Sequence, residues 1–314
     1  MISHRQLIHA LTLYKHGNFT RAAEESNISQ SAFSRSIRNL EESLGVPLFD
    51  RDTNCVIPTR YGVALLHKAK AIVADTVELQ REIYLMQGLE VGGLTVALGV
   101  YPAEVSGNRA LGYMLRKHPR LSYRAFAGNW ETVNQQVLSR EVDLGFATIE
   151  TAEIDDRLTV ERVNQSEMFL YCRKGHPLAD RKDVSREDLD QFPLVSIRAP
   201  SALADAIPGK AEIDPSSGHL IPTMEIDDFT TARTVISNSD GVGVAIPTQI
   251  QTQLISGEFT LLKYQRPMVT PVFGFILLKN RTLSPAAEVF MEHVATLEKD
   301  ASRTNGVLIE KYFG

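Results

Sequence analysis

Between residues 19 and 44, apolar positions recur at helical spacing in two short runs with a break between them. The first run carries Phe19, Ala22 and Ala23 on one side and follows Asn18, a residue type that caps helix N-termini. Two adjacent alanines let a second helix cross closely. The break falls at Ser26-Asn27-Ile28, where Asn27 tolerates the left-handed backbone of a tight turn and Ile28 is expected to fill the corner. The second run starts at a Ser29 cap, stops at Gly45 and sets Ala32, Phe33, Ile37, Leu40 and Leu44 on one stripe. Its opposite face carries Gln30, Ser31, Ser34 and Arg35, with Arg38 one turn on. Those side-chain types read base edges and grip phosphates, and a helix-turn-helix puts that end in the major groove. Any surface helix also carries serines and arginines outside, so the pattern alone leaves both readings open.

After Gly45 the chain is too broken for a helix. Leu48-Phe49 and Val56-Ile57 read as strand ends around Asp52-Thr53-Asn54, which makes a wing. Arg51 is its candidate phosphate contact; pairing with Asp50, Asp52 or a neighbouring helix is the alternative. From Arg60 to about Gln87 there is no proline, and Gly62 sits in the first turn. Leu65, Ala69, Ile72, Thr76, Leu79, Ile83 and Met86 follow at alternating steps of four and three, the period of a coiled-coil seam. The small domain before it cannot cover such a stripe, which favours a dimerising linker helix over residues 60–88. Glu90-Val91-Gly92-Gly93 then makes a natural hinge at 89–93.

From Leu94 strands alternate with helices. Leu94–Val100, Leu121–Phe126 and Val142–Ala147 read as strands, with helices over Ser106–His118 and Trp130–Arg140 between them. That order implies a parallel sheet with helices on its faces. A second block holds Met168–Cys172, Pro193–Ile197, Thr223–Ile226, a helix Phe229–Ser237 and Gly241–Pro247. The chain then returns through Val272–Leu278 and a last helix, Pro285–Lys299. Two α/β lobes joined by two crossovers resemble a periplasmic solute-binding protein. Lobe I covers about 94–165 and 266–300, lobe II about 166–265. Ligands of such sheets sit beyond the strand C-termini, between the lobes. The expected lining is Tyr101, Asn129, Trp130, Thr148, Arg198, Ser201, Phe229 and Thr230, with Arg198 as partner for a carboxylate. The competing readings are plain core for the aromatics and a protein salt bridge for Arg198.

The first segment closely resembles the DNA-binding domain of LysR-type transcriptional regulators. The matches are Phe19-Thr-Arg-Ala-Ala23, Ser29-Gln-Ser-Ala32, Ser34-Arg35, Ile37-Arg38, Leu40-Glu41, Leu44-Gly-Val-Pro-Leu-Phe49, Arg51, Thr59 and Gly62. Ser26 sits where a Leu is usual in the family and Phe33 is bulkier than the usual Leu or Val, which bears on local packing. The resemblance covers nearly the whole chain. It implies a multi-domain α/β protein: a winged helix-turn-helix over 1–59, a linker helix that pairs antiparallel with its copy, and a two-lobed effector domain over 94–314. Thr20 and Arg21 join Gln30, Ser31, Ser34, Arg35, Arg38 and Arg51 as DNA-contacting residues. The implied partners are double-stranded promoter DNA, RNA polymerase and further copies of the chain, as a homodimer or homotetramer.

Charge alters this picture in one respect. The chain has 33 Lys+Arg and 38 Asp+Glu, a formal net charge of −5, yet residues 1–90 carry ten of each. The reading head is therefore neutral rather than basic, and specificity must come from the placement of single side chains. With 43% hydrophobic residues in 314, the chain can fill two or three cores. No apolar run approaches the length of a membrane helix and no signal-peptide pattern opens the chain, so a cytoplasmic location is expected, with no membrane partner. Cys55 and Cys172 lack metal-ligand neighbours and read as reduced thiols; no metal or cofactor is expected beyond a small-molecule effector. No nucleophile elbow, phosphate loop or dinucleotide fingerprint stands out, so no enzyme activity is expected. A solute-binding protein and a DNA-architectural protein are the alternatives.

Overall fold

The computed structural model describes residues 2–51, 56–85, 92–266 and 268–313. The expected wing tip at Asp52–Asn54, Cys55, seam residue Met86, the helix end near Gly88 and hinge residues 89–91 lie outside the described residues, as do the side chains of Arg51 and Ile83. The chain divides into two compact units, Met1–Met86 and Gln87–Gly314. No helix among the described residues is long and apolar enough to cross a membrane.

In the first unit, α1 (His4–His16) starts at a capping box in which Ser3 and Gln6 satisfy each other's backbone N–H. Asn18 Oδ1 accepts the N–H groups of Thr20 (2.9 Å) and Arg21 (3.2 Å) and so starts α2 (Phe19–Glu25). Asn27 takes φ +54°, the left-handed turn its side chain tolerates. Ser29 Oγ accepts the Ala32 N–H to start α3 (Gln30–Leu44), and Gly45 ends it at φ +70°. Phe33, Ile37 and Leu40 are fully buried against Ala10, Leu13, Ala22 and Ala23. Each contributes about 1.5–3 kcal/mol by leaving water. The buried stripe is narrower than expected: Ala32 is exposed and Leu44 is 38% exposed. Ile28, at 37% exposed, does not fill the corner. The bulkier Phe33 does, lying edge-on to Phe19 at 6.2 Å and against the His9 ring at 4.9 Å.

Strands β1 (Phe49–Arg51) and β2 (Val56–Pro58) pair antiparallel as the base of a wing. Helix α4 (Arg60–Leu85) begins inside this core with Leu66 and Ala69 buried, and then leaves it. Ile72 is 49% exposed and Leu79 is 56% exposed, so the seam has no cover from its own unit there.

The second unit opens with β3 (Gly93–Gly99), α5 (Val100–Pro102), a π-helical turn (Ala103–Gly107), α6 (Asn108–Lys117), β4 (Ser122–Gly128), α7 (Trp130–Leu138), β5 (Leu144–Thr148) and β6 (Leu158–Gln165). The chain crosses to β7 (Phe169–Arg173), α8 (Arg186–Leu189), β8 (Leu194–Ser196), α9 (Ser201–Ala204), β9 (Ala211–Ile213), β10 (Leu220–Pro222) and β11 (Met224–Glu225). It continues through α10 (Phe229–Ser237), β12 (Val242–Ala245), a 3-10 turn (Pro247–Ile250), α11 (Gln251–Ser256) and β13 (Phe259–Leu261). It returns through β14 (Val272–Leu278) and α12 (Pro285–Tyr312).

Lobe I has the strand order β4-β3-β5-β14-β6 and lobe II the order β11-β8-β12-β7-β13. Both sheets are mixed: the parallel pairing expected for the strands that are β3, β4 and β5 holds, but the sheet as a whole is not parallel. β3 pairs parallel with β4 and β5, and β8 with β11 and β12, but β14 runs antiparallel to β5 and β6, and β7 to β12 and β13. The reversed strands are those that the chain enters from the other lobe, so their direction is set by topology and not by local pattern. The two crossovers run side by side, the Ser166 N–H donating to Pro271 O and the Met168 N–H to Val269 O. Two further expectations change. Gly92 O accepts the Ser122 N–H, and a side chain on Gly93 would meet Ser122 Oγ at 2.5 Å, so these two of the five expected hinge residues are fastened where β3 starts beside β4. The last helix runs to Tyr312 rather than Lys299.

Candidate nucleic-acid interface and interlobe cleft

Helix α3 presents two unlike faces. Phe33, Ile37 and Leu40 fix its rotation by burial, and that rotation turns Gln30, Ser31, Arg35 and Arg38 to the exposed side, with Ser34 half-buried between them. Gln30 Nε2 donates to Ser34 Oγ at 3.2 Å, which links two amphoteric groups one turn apart. Among the described residues Arg35 and Arg38 have no carboxylate partner, so their guanidinium donors face outward. Thr20 and Arg21 are exposed at the start of α2, and Arg51 closes β1. The exposed edge thus offers hydroxyl, amide and guanidinium groups in adjacent turns, the set that pairs with base edges and phosphates.

Three supports of this edge were not singled out in the sequence. His9, buried on α1, places Nδ1 2.7 Å from Ser36 Oγ on α3. Burial first, and the Arg5 charge second, hold the His9 imidazole below its usual pKa. Glu41 Oε1 accepts the Leu48 and Phe49 N–H groups at 2.9 and 3.3 Å, tying α3 to the wing. Thr59 Oγ1 donates to Pro47 O at 2.8 Å and accepts the Gly62 N–H at 3.1 Å, fastening the wing to α4. Glu41 and Thr59 stand in the sequence only as members of the family-like motif, with no role assigned to either.

In the second unit the lobes meet where the strands of lobe I end. Tyr101, just past β3, lies 3.2 Å from Ser196 Oγ of lobe II and edge-on to the Phe229 ring at 6.0 Å. Gln249 Nε2 donates to Tyr101 O at 3.0 Å. Burial pushes the Tyr101 phenol up to about 12, against the pull of the Ser196 hydrogen bond, so it stays a neutral donor and acceptor. Trp130, the first residue of α7, meets the His219 ring edge-on at 5.3 Å, and His219 Nδ1 lies 3.6 Å from Glu131. Arg233 of lobe II reaches Glu104 of lobe I at 3.2 Å.

Of the eight residues expected to line the cleft, Tyr101, Trp130 and Phe229 make or flank interlobe contacts. Arg198 pairs with Glu225 at 3.2 Å, and its buried Nε has no hydrogen-bond partner among the described residues. Asn129 is spent as the cap of α7, accepting the Thr132 N–H at 2.9 Å. Thr148 ends β5 half-buried, Ser201 is exposed at the start of α9, and exposed Thr230 accepts from Arg233 at 3.3 Å. Glu104, Glu131, His219 and Arg233 were missed. His219 comes in on the β9–β10 hairpin, whose signal was the Pro215-Ser-Ser-Gly218 turn between short apolar runs.

Cys172 is a free, buried thiol whose pKa burial raises to about 12, the opposite of a reactive thiolate. Among the described residues no group of acidic, histidine or cysteine side chains could hold a metal ion.

Comparison with known proteins gives the family of both units. Residues 4–63 match the family model described as bacterial regulatory helix-turn-helix protein, lysR family, and residues 87–298 match the LysR substrate binding domain. The chain is 30% identical over 301 residues to the SDS degradation transcriptional activation protein of Pseudomonas sp. (strain ATCC 19151), covering 95% of this chain and 96% of that one. It is 27% identical over 282 residues to a probable RuBisCO transcriptional regulator of Synechocystis sp., covering 88% and 81%. Among solved structures, CbnR, a LysR family transcriptional regulator, superposes with a TM-score of 0.64 at 19% identity, over 95% of this chain and all of that one. CbnR complexed with its target DNA gives 0.61 at 18% identity, over 94% and 100%. The chain belongs to the LysR family: it is a transcriptional regulator with a helix-turn-helix DNA-binding unit joined to an effector-binding substrate domain.

Proposed function

We propose that two copies of the chain grip an imperfect inverted repeat in promoter DNA, each inserting the exposed edge of α3 into the major groove. Gln30, Ser31, Ser34 and Arg35 read base edges. Arg38, Thr20, Arg21 and Arg51 hold phosphates. The observation that carries this reading is the division of α3, whose apolar face is sealed in the core while its polar edge stands in solvent. The uncovered seam of α4 around Ile72 and Leu79 supports pairing with a second copy, as a dimer or as half of a tetramer. Two heads on a symmetric dimer would contact half-sites about 34 Å apart or a multiple of that. The protein acts in the cytoplasm and passes its signal to RNA polymerase.

A small molecule in the interlobe cleft sets the output. Tyr101, Trp130, Phe229 and Arg198 line its site, with Asn129, Thr148, Ser201 and Thr230 at its margins. Arg198 would exchange Glu225 for an anionic group of the ligand. Selection of binding sites from random duplexes tests the first half: recovery of an inverted repeat supports it, and the absence of any enriched sequence refutes it. A thermal-shift screen against small carboxylates and aromatics tests the second. The shift produced by a binding carboxylate should vanish in Arg198→Ala, and an unchanged shift rejects the role of Arg198.

A further inference from the structure

We infer that the part of α12 beyond residue 298 is a strap that fixes the angle between the two lobes. Its consequence for control rests on the reading of the cleft as an effector site; its geometry does not.

The first half of α12 belongs to lobe I. Phe290 and Val294 are fully buried there, and the His293 ring stacks on Tyr113 at 3.8 Å. Glu298, 3% exposed, then accepts hydrogen bonds from Ser106 Oγ and, at 3.0 Å, from Asn164 Nδ2. Asn164 lies next to the end of β6, where the chain leaves for lobe II, and Ser302 Oγ donates to Asn164 Oδ1 at 3.2 Å. The helix is thus fastened beside the crossovers.

It does not stop there. Asn305 Oδ1 accepts the Thr248 N–H at 2.9 Å, at the 3-10 turn of lobe II. Leu308 and Ile309 are buried. The Phe313 ring lies edge-on to Phe169 of β7 at 4.9 Å, and Lys263 Nζ donates to Phe313 O at 2.5 Å. One continuous helix therefore holds lobe I, the crossovers and lobe II, and from Glu298 to Tyr312 it spans about 21 Å. Two adjacent crossover strands form a hinge that can bend. A continuous helix bonded on both sides of that hinge cannot follow the bend without losing the contacts at one end. The match to the family's substrate-binding domain ends at residue 298, so the strap lies past it. Gly306 is its soft point: a methyl group there would meet nothing within 4 Å, so alanine fits and stiffens the helix.

Amide hydrogen exchange on the full chain tests the inference without DNA or any small molecule, so it can fail or succeed whatever the cleft binds. In a variant combining Lys263→Met, Asn305→Ala and Phe313→Ala, the Ser166 and Met168 amides of the crossovers should exchange roughly tenfold faster than in the parent. In Gly306→Ala they should exchange more slowly. Asn305→Ala alone should move them in the same direction as the triple variant, and it decides the matter if the triple variant does not fold. Faster exchange confined to residues 299–313, with crossover amides at the parental rate, overturns the strap. So does a lowered melting temperature without change at the crossovers.

Discussion

The carboxylate of Glu41 accepts the backbone N–H of Leu48 at 2.9 Å and of Phe49 at 3.3 Å, so the last turns of α3 and the first strand of the wing are one piece. A hydrogen bond to a charged acceptor contributes about 1.5–3 kcal/mol. Glu41→Ala should leave α3 folded, because its buried face is untouched, and should free the wing. Affinity for the selected duplex should drop roughly tenfold at fixed salt, with the melting temperature lowered as well. Equilibrium binding by fluorescence anisotropy checks this, and parental affinity in the variant would separate the wing from DNA contact.

Gly62 is where α4 passes under the wing. A Cβ built there would lie 2.0 Å from Leu48 O and 3.1 Å from Pro58 Cβ. The nearest atom is backbone, so relief requires moving the wing or the helix. Gly62→Ala should destabilise the first unit by about 1–3 kcal/mol, the usual cost of overpacking. A chemical denaturation curve reads the loss, and unchanged stability would show that the wing yields freely.

His9 gives the first unit a dependence on acid. Its pKa in the fold lies below the usual 6.5, so the fold prefers the neutral ring. The unfolded chain takes up the proton first as pH falls. Stability from this site is therefore full above 6.5 and drains as pH falls below that value toward the folded one. NMR titration should place the His9 midpoint below 6.5. The thermal midpoint of this unit should fall between about pH 7.5 and about pH 5.5, and less so in His9→Gln. A His9 midpoint at or above that of a free imidazole would contradict the assignment.

Glu298 has the opposite sign. Burial raises its pKa, while hydrogen bonds from Ser106 and Asn164 oppose the shift. The fold prefers the protonated acid, so this contribution is full below 4.5 and is lost as pH rises through the folded value. Glu298→Gln removes the buried charge, its amide oxygen still accepting from Asn164 Nδ2 while its NH2 donates to Ser106 Oγ, which then acts as acceptor. It should raise the melting temperature of the second unit at neutral pH by roughly 2–4 °C. The gain should shrink to nothing in acid, and calorimetry at two pH values checks both.

Local signals in the sequence proved reliable where one residue decides the backbone. Asn18, Ser29 and Gly45 cap or stop their helices, and Asn27 turns left-handed, as their chemistry dictates. What failed depended on neighbours distant in sequence. Ile28 reads as a corner residue, but Phe33 takes the corner. The last helix reads as Pro285–Lys299 but runs on through Gly306 to Tyr312. Burial of Leu308 and Ile309 and the Asn305 bond to lobe II offset the roughly 1 kcal/mol that a mid-helix glycine costs. Strands β6, β9, β10 and β13 are short or half-exposed, so their alternation was too weak to read. In the cleft, Tyr101 and Phe229 were legible from their place beyond strand ends. The charged partners Glu104 and Arg233 lie 129 positions apart, and nothing local marks the pair.

The proposal that the exposed polar edge of α3 reads base pairs meets its most direct test at Arg35. The decisive measurement is the ratio of affinities for the selected inverted repeat and a scrambled duplex, taken at one salt concentration for the parent and for Arg35→Ala. The parental ratio should be roughly a thousand or more and should fall about ten- to hundredfold in the variant, with affinity for the scrambled duplex little changed. An Arg35→Ala protein that keeps the parental ratio would show that sequence is read elsewhere.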